Sequence, residues 1–359
     1  QFRRPHRADV WESGAAPHGV DWLTGEELAQ RIAELVTDHA GARRAGDEGH
    51  FSRAGAQPKT GLFREPETGR WGIPKGATPT THLLKPATGR FEGYVQNEHF
   101  CLLLAGRLGL SVANSWTEII GDIPVIVIER FDRIRRQDGT VIRIIKDACQ
   151  ALGKLPALKY QNDGGPSARD VFDLIRDRSS RPGDDVRRFL DTLIFNWLIS
   201  GTDAHAKNYG FLLADGSQVR LSPLYDLSSS LHYPVAIPPQ KAKLAMMIGG
   251  TYRVSHMGGE AWEKAAGEWK LDRRVVMDRV VEMTKDISNT AIDQVTRCRD
   301  SQERSWKGSL TFSRIEDRGP IVDRSRVSEG EGDAQSLGPR RTNYSATLAA
   351  LRAAYAFAE

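Results

Sequence analysis

The chain has 359 residues, 40% of them hydrophobic, enough to bury one large core or two modest ones and still carry a polar tail. Its 50 Lys and Arg against 46 Asp and Glu leave a formal charge of +4, too small and too scattered to argue for nucleic-acid binding by charge alone. Cys101, Cys149 and Cys298 stand far apart without a C-x-x-C pair, which argues against a disulfide framework or zinc site and for a reducing cytoplasm. No apolar run approaches the roughly 18 residues of a membrane span, and the opening Gln1-Phe2-Arg3-Arg4 reads as a trimmed start without a signal peptide.

Thr24, with Glu27 three residues on, reads as a capping box for an amphipathic helix over 25 to 38, with Leu28, Ile32, Leu35 and Val36 on one face. From Phe51 to Arg90 short apolar runs alternate with Gly and Pro, the look of a small twisted β-region. A second helix is expected over 96 to 108, where Phe100, Leu103, Leu104 and Leu108 recur at helical spacing and Gly109 stands at the C-terminal cap. Pro124 to Ile128 is short, β-branched and apolar, a buried strand, and it runs into the charged Glu129-Arg130-Phe131-Asp132-Arg133, a candidate hinge between two lobes.

The pattern turns helical from Asp170. The strongest helix starts near Asp184, carries Val186, Leu190, Leu193, Ile194, Trp197 and Leu198 in one stripe, and stops at Ser200-Gly201. Tyr209 to Leu213 and Val219 to Leu224 flank an Asp215-Gly216 turn and read as a hairpin. A last helix over 272 to 297 carries Val276, Val280, Met283 and Ile287 on one face. From Arg299 to Thr342 the chain is too polar to offset its ordering entropy and is expected to be disordered, before a short helix within Asn343 to Ala358.

The chemistry sits between the Asp184 helix and the hairpin, in Thr202-Asp203-Ala204-His205-Ala206-Lys207-Asn208, and beyond the hairpin at Tyr225-Asp226. Phosphoryl transfer to a hydroxyl needs a carboxylate to orient it and take its proton, and oxygen ligands for Mg²⁺ on the nucleotide phosphates. Asp203 and Asn208 have the Asp-x-x-x-x-Asn spacing of a kinase catalytic loop, and Asp226 follows the hairpin where a second metal-binding acid belongs. Asp203 is read as the base, Asn208 and Asp226 as metal ligands, Lys207 as a catalytic cation for the transferred group, and His205 as a brace. Singly, an Asp after Gly201-Thr202 caps a helix end and an Asn fills a turn; the spaced set is what points to phosphoryl transfer. Lys85 ends the apolar run Thr81-His82-Leu83-Leu84 and Glu98 stands at the start of the next helix, so an ion pair between them is expected. Ser52 to Thr60 combines small residues, which let backbone approach phosphates, with Lys59; its spacing is not that of a Walker A loop.

Ser52-Arg53-Ala54-Gly55-Ala56-Gln57-Pro58-Lys59-Thr60, Pro79 to Lys85, Asn97-Glu98, Glu129 to Arg133, Thr202 to Asn208 and Pro223-Leu224-Tyr225-Asp226, in that order, resemble the HipA family of bacterial toxin serine/threonine kinases over about 20 to 290. The resemblance implies an α+β, bilobal protein-kinase-like fold with a small mixed, β-rich N-lobe over a larger, mostly helical C-lobe. The corresponding domains are 1–132, 133–299 and a polar tail over 300–359. It implies ATP in the cleft beside a hinge at Glu129, Arg130 and Phe131, a phosphate-covering loop from Ala54, Gly55, Ala56, Gln57 and Pro58 to Lys59, and nucleotide contacts from Lys85, His205, Ala206, Lys207, Asn208, Tyr225 and Asp226. Ser52 matches the serine that such kinases autophosphorylate, a modification that expels the loop. The implied partners are a protein substrate such as an aminoacyl-tRNA synthetase and a helix-turn-helix antitoxin through which operator DNA is contacted, with no membrane. The chain departs from the family in lacking most of a small N-terminal subdomain and in its tail after 299.

Two other readings use the same residues. A lipid or small-molecule kinase also carries an Asp-x-His-x-x-Asn loop, which Asp203, His205 and Asn208 satisfy, although no basic amphipathic element for a membrane surface is evident. A pseudokinase or repressor component would keep the fold and bind partners without turning over ATP.

Overall fold

The computed structural model describes residues 18–37, 57–76, 78–88, 91–136, 139–142, 144–214 and 217–307. The first half contains strand β1 (His18–Trp22), helix α1 (Gly25–Thr37), strands β2 (Thr60–Arg64), β3 (Trp71–Gly76) and β4 (His82–Pro86), helix α2 (Tyr94–Arg107), and strands β5 (Ser115–Ile120) and β6 (Ile123–Glu129). The capping box at Thr24 forms in both directions. The Thr24 N–H donates to Glu27 Oε2 at 2.8 Å, and the Glu27 N–H to Thr24 Oγ1 at 3.2 Å, satisfying two orphan donors of α1 for about 1 kcal/mol.

The six strands make one antiparallel sheet in the order β1-β3-β2-β4-β6-β5. Strand β1 has no counterpart in the sequence reading; it is an edge strand, held by its pairing with β3. Side chains alternate across a strand, so β6 serves two layers. Val125 and Val127 pack with Leu62, Leu84 and the α1 residues Leu28 and Ile32. Ile126 and Ile128 face the other way, into the larger core with Val95, Leu102 and Leu104 of α2. On β4 the same alternation places Leu84 against α1 and Lys85 toward α2.

His82 of β4 lies edge-on to Trp71 and Trp116, 5.4 Å from each ring centroid. Its pKa falls to about 4 because burial disfavours the imidazolium; Glu129 pulls the other way and the Arg64 cation reinforces the fall. The unfolded chain takes up this proton near 6.5 and so binds more protons than the fold between the two values. Stability is therefore expected to be fully present above pH 6.5 and to fall as the pH drops toward about 4. Urea midpoints measured across that range should slope less in His82→Gln than in the parent.

The second half runs through the hairpin β7 (Arg133–Arg136) and β8 (Gly139–Ile142), strand β9 (Ile144–Asp147), helices α3 (Ala148–Ala151), α4 (Ala168–Arg178) and α5 (Pro182–Leu198), strands β10 (Gly210–Ala214), β11 (Gln218–Leu221), β12 (Lys243–Ile248) and β13 (Thr251–Arg253), and helices α6 (Gly259–Glu268) and α7 (Arg273–Lys307). Strand β10 lies between β9 and β11. Buried Asp185 joins α5 to this sheet, accepting from Ser179 Oγ, Arg188, Arg220 Nε and Nη2, and the Leu221 N–H. Burial acts to raise its carboxyl, but the Arg220, Ser179 and Leu221 donors outweigh burial and hold it below the usual range. Val276, Val280, Met283 and Ile287 of α7 are buried in the large core, and α7 is tied to α5 by Arg279 and Asp191 at 2.7 Å and to α2 by Gln294 Nε2 donating to the Phe100 carbonyl at 3.1 Å.

Several boundaries differ from the sequence reading. Helix α2 starts at Tyr94, so Glu98 lies a full turn inside it. Gly109 (φ +82°) follows the end of α2 as expected, its N–H bonded to the Gly106 carbonyl. Helix α5 begins at Pro182, because proline fits the first helical position. The second strand of the hairpin ends at Leu221, since Leu224 pairs instead with Val112. Helix α7 continues to Lys307, through the first residues of the segment expected to be disordered; once a helix is nucleated, Gln, Glu, Arg and Lys extend it at little cost. The Asp215-Gly216 turn and everything after Lys307 lie outside the described residues. Among the described residues no helix is long and apolar enough to cross a membrane.

Candidate active site

Three ionisable groups from separate parts of the chain meet at the end of β4. Lys85 Nζ is 2.6 Å from Glu98 Oε1 of α2 and also bonds Asp226 Oδ1, on the segment after β11. The pair expected from the sequence therefore supplies two members of a triad. Lys85 and Glu98 are buried to 3% and 0% exposure. Burial works against the charge of Lys85, but Asp226 and Glu98 outweigh it and hold the amine protonated above its ordinary range. Burial also raises the Glu98 carboxyl against the pull of Lys85, and among the described residues Glu98 Oε2 has no hydrogen-bond partner. Asp226 titrates at about 2, because Lys85 and Lys59 overcome the effect of burial.

Asp226 has φ +55°, a left-handed backbone that Asp tolerates better than most residues. Its position is fixed on both sides. Upstream, the Tyr225 hydroxyl donates to the Lys207 carbonyl at 2.9 Å and the Tyr225 ring lies 5.7 Å from that of Phe131. Downstream, the Asn97 side chain of α2 pairs with the Ser229 backbone, donating to its carbonyl at 2.9 Å and accepting from its N–H at 3.1 Å. Ser229 Oγ donates to the Ile199 carbonyl at 2.5 Å and Ser230 Oγ to the Ser200 carbonyl at 2.8 Å. One short segment thus fastens α2, Asp226 and the end of α5 to each other.

The loop from Ser200 to Tyr209 leaves α5 through Ser200, at φ +54°, and Gly201, where a Cβ would come 2.5 Å from Asn196 Oδ1. Asp203 is exposed at 59%, with His205 Nε2 3.9 Å from its Oδ1. Asn208 Nδ2 donates to the Asp203 carbonyl at 3.0 Å and the Asp226 carbonyl at 3.4 Å. That commits the amide nitrogen and leaves Oδ1 as an oxygen donor that could face a cation beside Asp226. No three His, Cys, Asp or Glu side chains cluster as a metal site among the described residues. Mg²⁺ held largely by phosphate and water needs only one or two protein oxygens, so Asn208 and Asp226 fit it.

Lys59 lies within electrostatic reach of Asp226, Lys85, Glu98 and Lys207, its pKa lowered by burial while Asp226 acts against the fall. Lys207 adds to this positive field, and Ala206 is fully buried in the core, its N–H on the Lys159 carbonyl. Glu129 is exposed and accepts from Asn114, while Arg130 turns to Asp132 and Thr80. Pro58 is buried and Gln57 partly so; Ser52, Ala54, Gly55 and Ala56 lie outside the described residues. The sequence reading missed Asn97 as an anchor and Tyr160, whose hydroxyl donates to Asp203 Oδ1. No spacing signal links Tyr160 to a residue 43 positions away.

A sequence model described as the HipA-like C-terminal domain matches residues 51–291. The chain belongs to this HipA-like family. Lys59, Lys85, Glu98, Asn97, Tyr160, Asp203, Asn208 and Asp226 all fall inside the matched region. Among its relatives, "Putative kinase Y4mE" of Sinorhizobium fredii is 40% identical over 241 residues, 67% of this chain and 56% of that protein. The serine/threonine-protein kinase toxin HipA of Shewanella oneidensis is 34% identical over 195 residues, 50% of this chain and 43% of that protein. The HipA-like chain spans about half the length of these curated relatives. A solved structure of the Shewanella oneidensis HipA, in a complex with HipB and operator DNA, aligns over 95% of this chain and 73% of that one with a TM-score of 0.67 and 22% identity, so the two share a fold.

Proposed function

We propose that this chain is an ATP-dependent serine/threonine-protein kinase with a bilobal architecture. The sheet with α1 and α2 is the small lobe, residues 133–299 the body of the larger one, and Glu129 to Phe131 the hinge. The observation that carries the reading is the joining of Lys85, Glu98 and Asp226 beside the loop that holds Asp203 and Asn208. Two carboxylates hold the buried Lys85 as a fixed cation, and a fixed lysine cation beside metal-binding oxygens is what a nucleotide polyphosphate requires.

In this reading Lys85 and Lys59 hold the ATP phosphates, and Glu98 fixes Lys85. Asn208 Oδ1 and the Asp226 carboxylate are the protein ligands for Mg²⁺, which when bound neutralises charge on the phosphates. Asp203 orients a serine or threonine hydroxyl. The hydroxyl oxygen attacks the γ-phosphorus, the bond to the leaving ADP oxygen breaks, and the proton passes to Asp203. Lys207 offsets the negative charge of the transferred group.

The family resemblance supports autophosphorylation of Ser52 and a protein acceptor such as an aminoacyl-tRNA synthetase. The HipB and operator DNA named with the Shewanella protein support an antitoxin partner that carries DNA contact, in a toxin-antitoxin system. The test is intact-mass spectrometry of the full chain after incubation with Mg²⁺ and ATP, followed by site mapping. One added phosphate on Ser52 is expected; failure to bind ATP at all would sink the kinase reading.

A further inference from the structure

Asp203 is the most exposed of the chemically important groups, and water alone would solvate it. It nevertheless has a protein donor, the Tyr160 hydroxyl, on Oδ1, and His205 Nε2 approaches the same oxygen at 3.9 Å. Among the described residues Oδ2 has no hydrogen-bond partner. Tyr160 is held from several sides. Its ring stands edge-on to His205, centroids 5.2 Å apart and planes at 83°, and the Lys159 ammonium lies 5.1 Å from its centroid. The backbone around it is clamped by the Ala206 N–H on the Lys159 carbonyl at 3.1 Å, the Gly165 N–H on the Tyr160 carbonyl at 2.9 Å, and the Met247 N–H on Gln161 Oε1 at 2.7 Å. A Cβ on Gly165 would stand 2.6 Å from the Tyr160 carbonyl oxygen, so glycine is required for this approach.

A donor built this firmly onto a solvated carboxylate adds orientation rather than solvation. The geometry points to Tyr160 as a positioning residue of the phosphoryl transfer, pinning Oδ1 of Asp203 so that Oδ2 faces the acceptor hydroxyl. This inference rests on the kinase reading. The same hydrogen bond survives the step: once the acceptor's proton is on Oδ2, Oδ1 is a carbonyl oxygen and still accepts from Tyr160. Burial, the bond to Asp203 and the charge of Asp203 all raise the tyrosine's pKa, so its hydroxyl stays a donor throughout the working range.

Tyr160→Phe keeps the ring against His205 and removes only the donor. In the full chain with Mg²⁺ and ATP it is expected to lower kcat about tenfold while leaving KM for ATP within about twofold, the signature of a lost orienting contact. Its thermal midpoint should stay within roughly 2 °C of the parent. An unchanged kcat overturns the proposal, as does a fall in kcat that comes with an equal loss of stability and of ATP affinity. A second measurement needs no turnover. With 3-fluorotyrosine at position 160, the ¹⁹F resonance should move in Asp203→Ala, whereas the same label at Tyr252 should not. No movement at 160 removes the contact and the proposal with it. A parent chain that shows the ¹⁹F response but transfers no phosphate overturns the kinase reading, and the catalytic role of Tyr160 with it, but not the contact.

Discussion

Asp203→Ala is expected to lower phosphate transfer by about 10²–10⁴-fold, the range for a positioned general base, while ATP binding and thermal stability stay near those of the parent. The expectation of retained folding follows from exposure. Asp203 is solvated, among the described residues its side chain bonds Tyr160 alone and approaches His205, and its role in holding Asn208 is played by its backbone carbonyl, which alanine retains. Retained ATP binding follows from position, because in the proposed reading the phosphates are held by Lys85 and Lys59, anchored from β4 and the segment before β2. Mass spectrometry of parent and variant after the same incubation, with nucleotide affinity measured by calorimetry, separates the two effects. A variant that transfers phosphate at the parent's rate would remove Asp203 from the mechanism.

Lys85→Met is expected to abolish ATP binding and also to destabilise the fold, by about 3–5 kcal/mol, as removal of one member of a buried ion pair does. The reason is what remains: Glu98 at 0% exposure, with one oxygen already lacking a hydrogen-bond partner among the described residues, loses the cation that offsets it. Adding Glu98→Gln removes that stranded charge, so the double variant should regain about 2 kcal/mol or more of stability and still fail to bind ATP. Urea unfolding of the parent, both single variants and the double variant completes the cycle. If Lys85→Met unfolds at the parent's midpoint, the buried Lys85–Glu98 pair does not contribute as described. The contrast also separates structure from chemistry, since stability is restored by the second substitution and nucleotide affinity is not.

Much of this site was legible in the sequence because its signals are local. The capping box at Thr24, the burial of 125 to 128, the stripe on α5 and the Asp203 to Asn208 spacing each depend on helical or strand period, on a cap, or on loop length, and these are written within about a dozen residues. Lys85 and Glu98 are 13 positions apart, near enough for strand followed by helix to suggest their pairing. What only the tertiary structure decided lies at longer range: Lys85 with Asp226 across 141 residues, Asn97 with Ser229 across 132, and Tyr160 with Asp203 across 43. Edge strand β1 belongs here too, since His18–Trp22 is held by its pairing with β3 more than fifty residues on, rather than by a pattern of its own. Composition and period fix which face of an element is buried; which faces then meet depends on packing the whole core at once, and no local spacing encodes that.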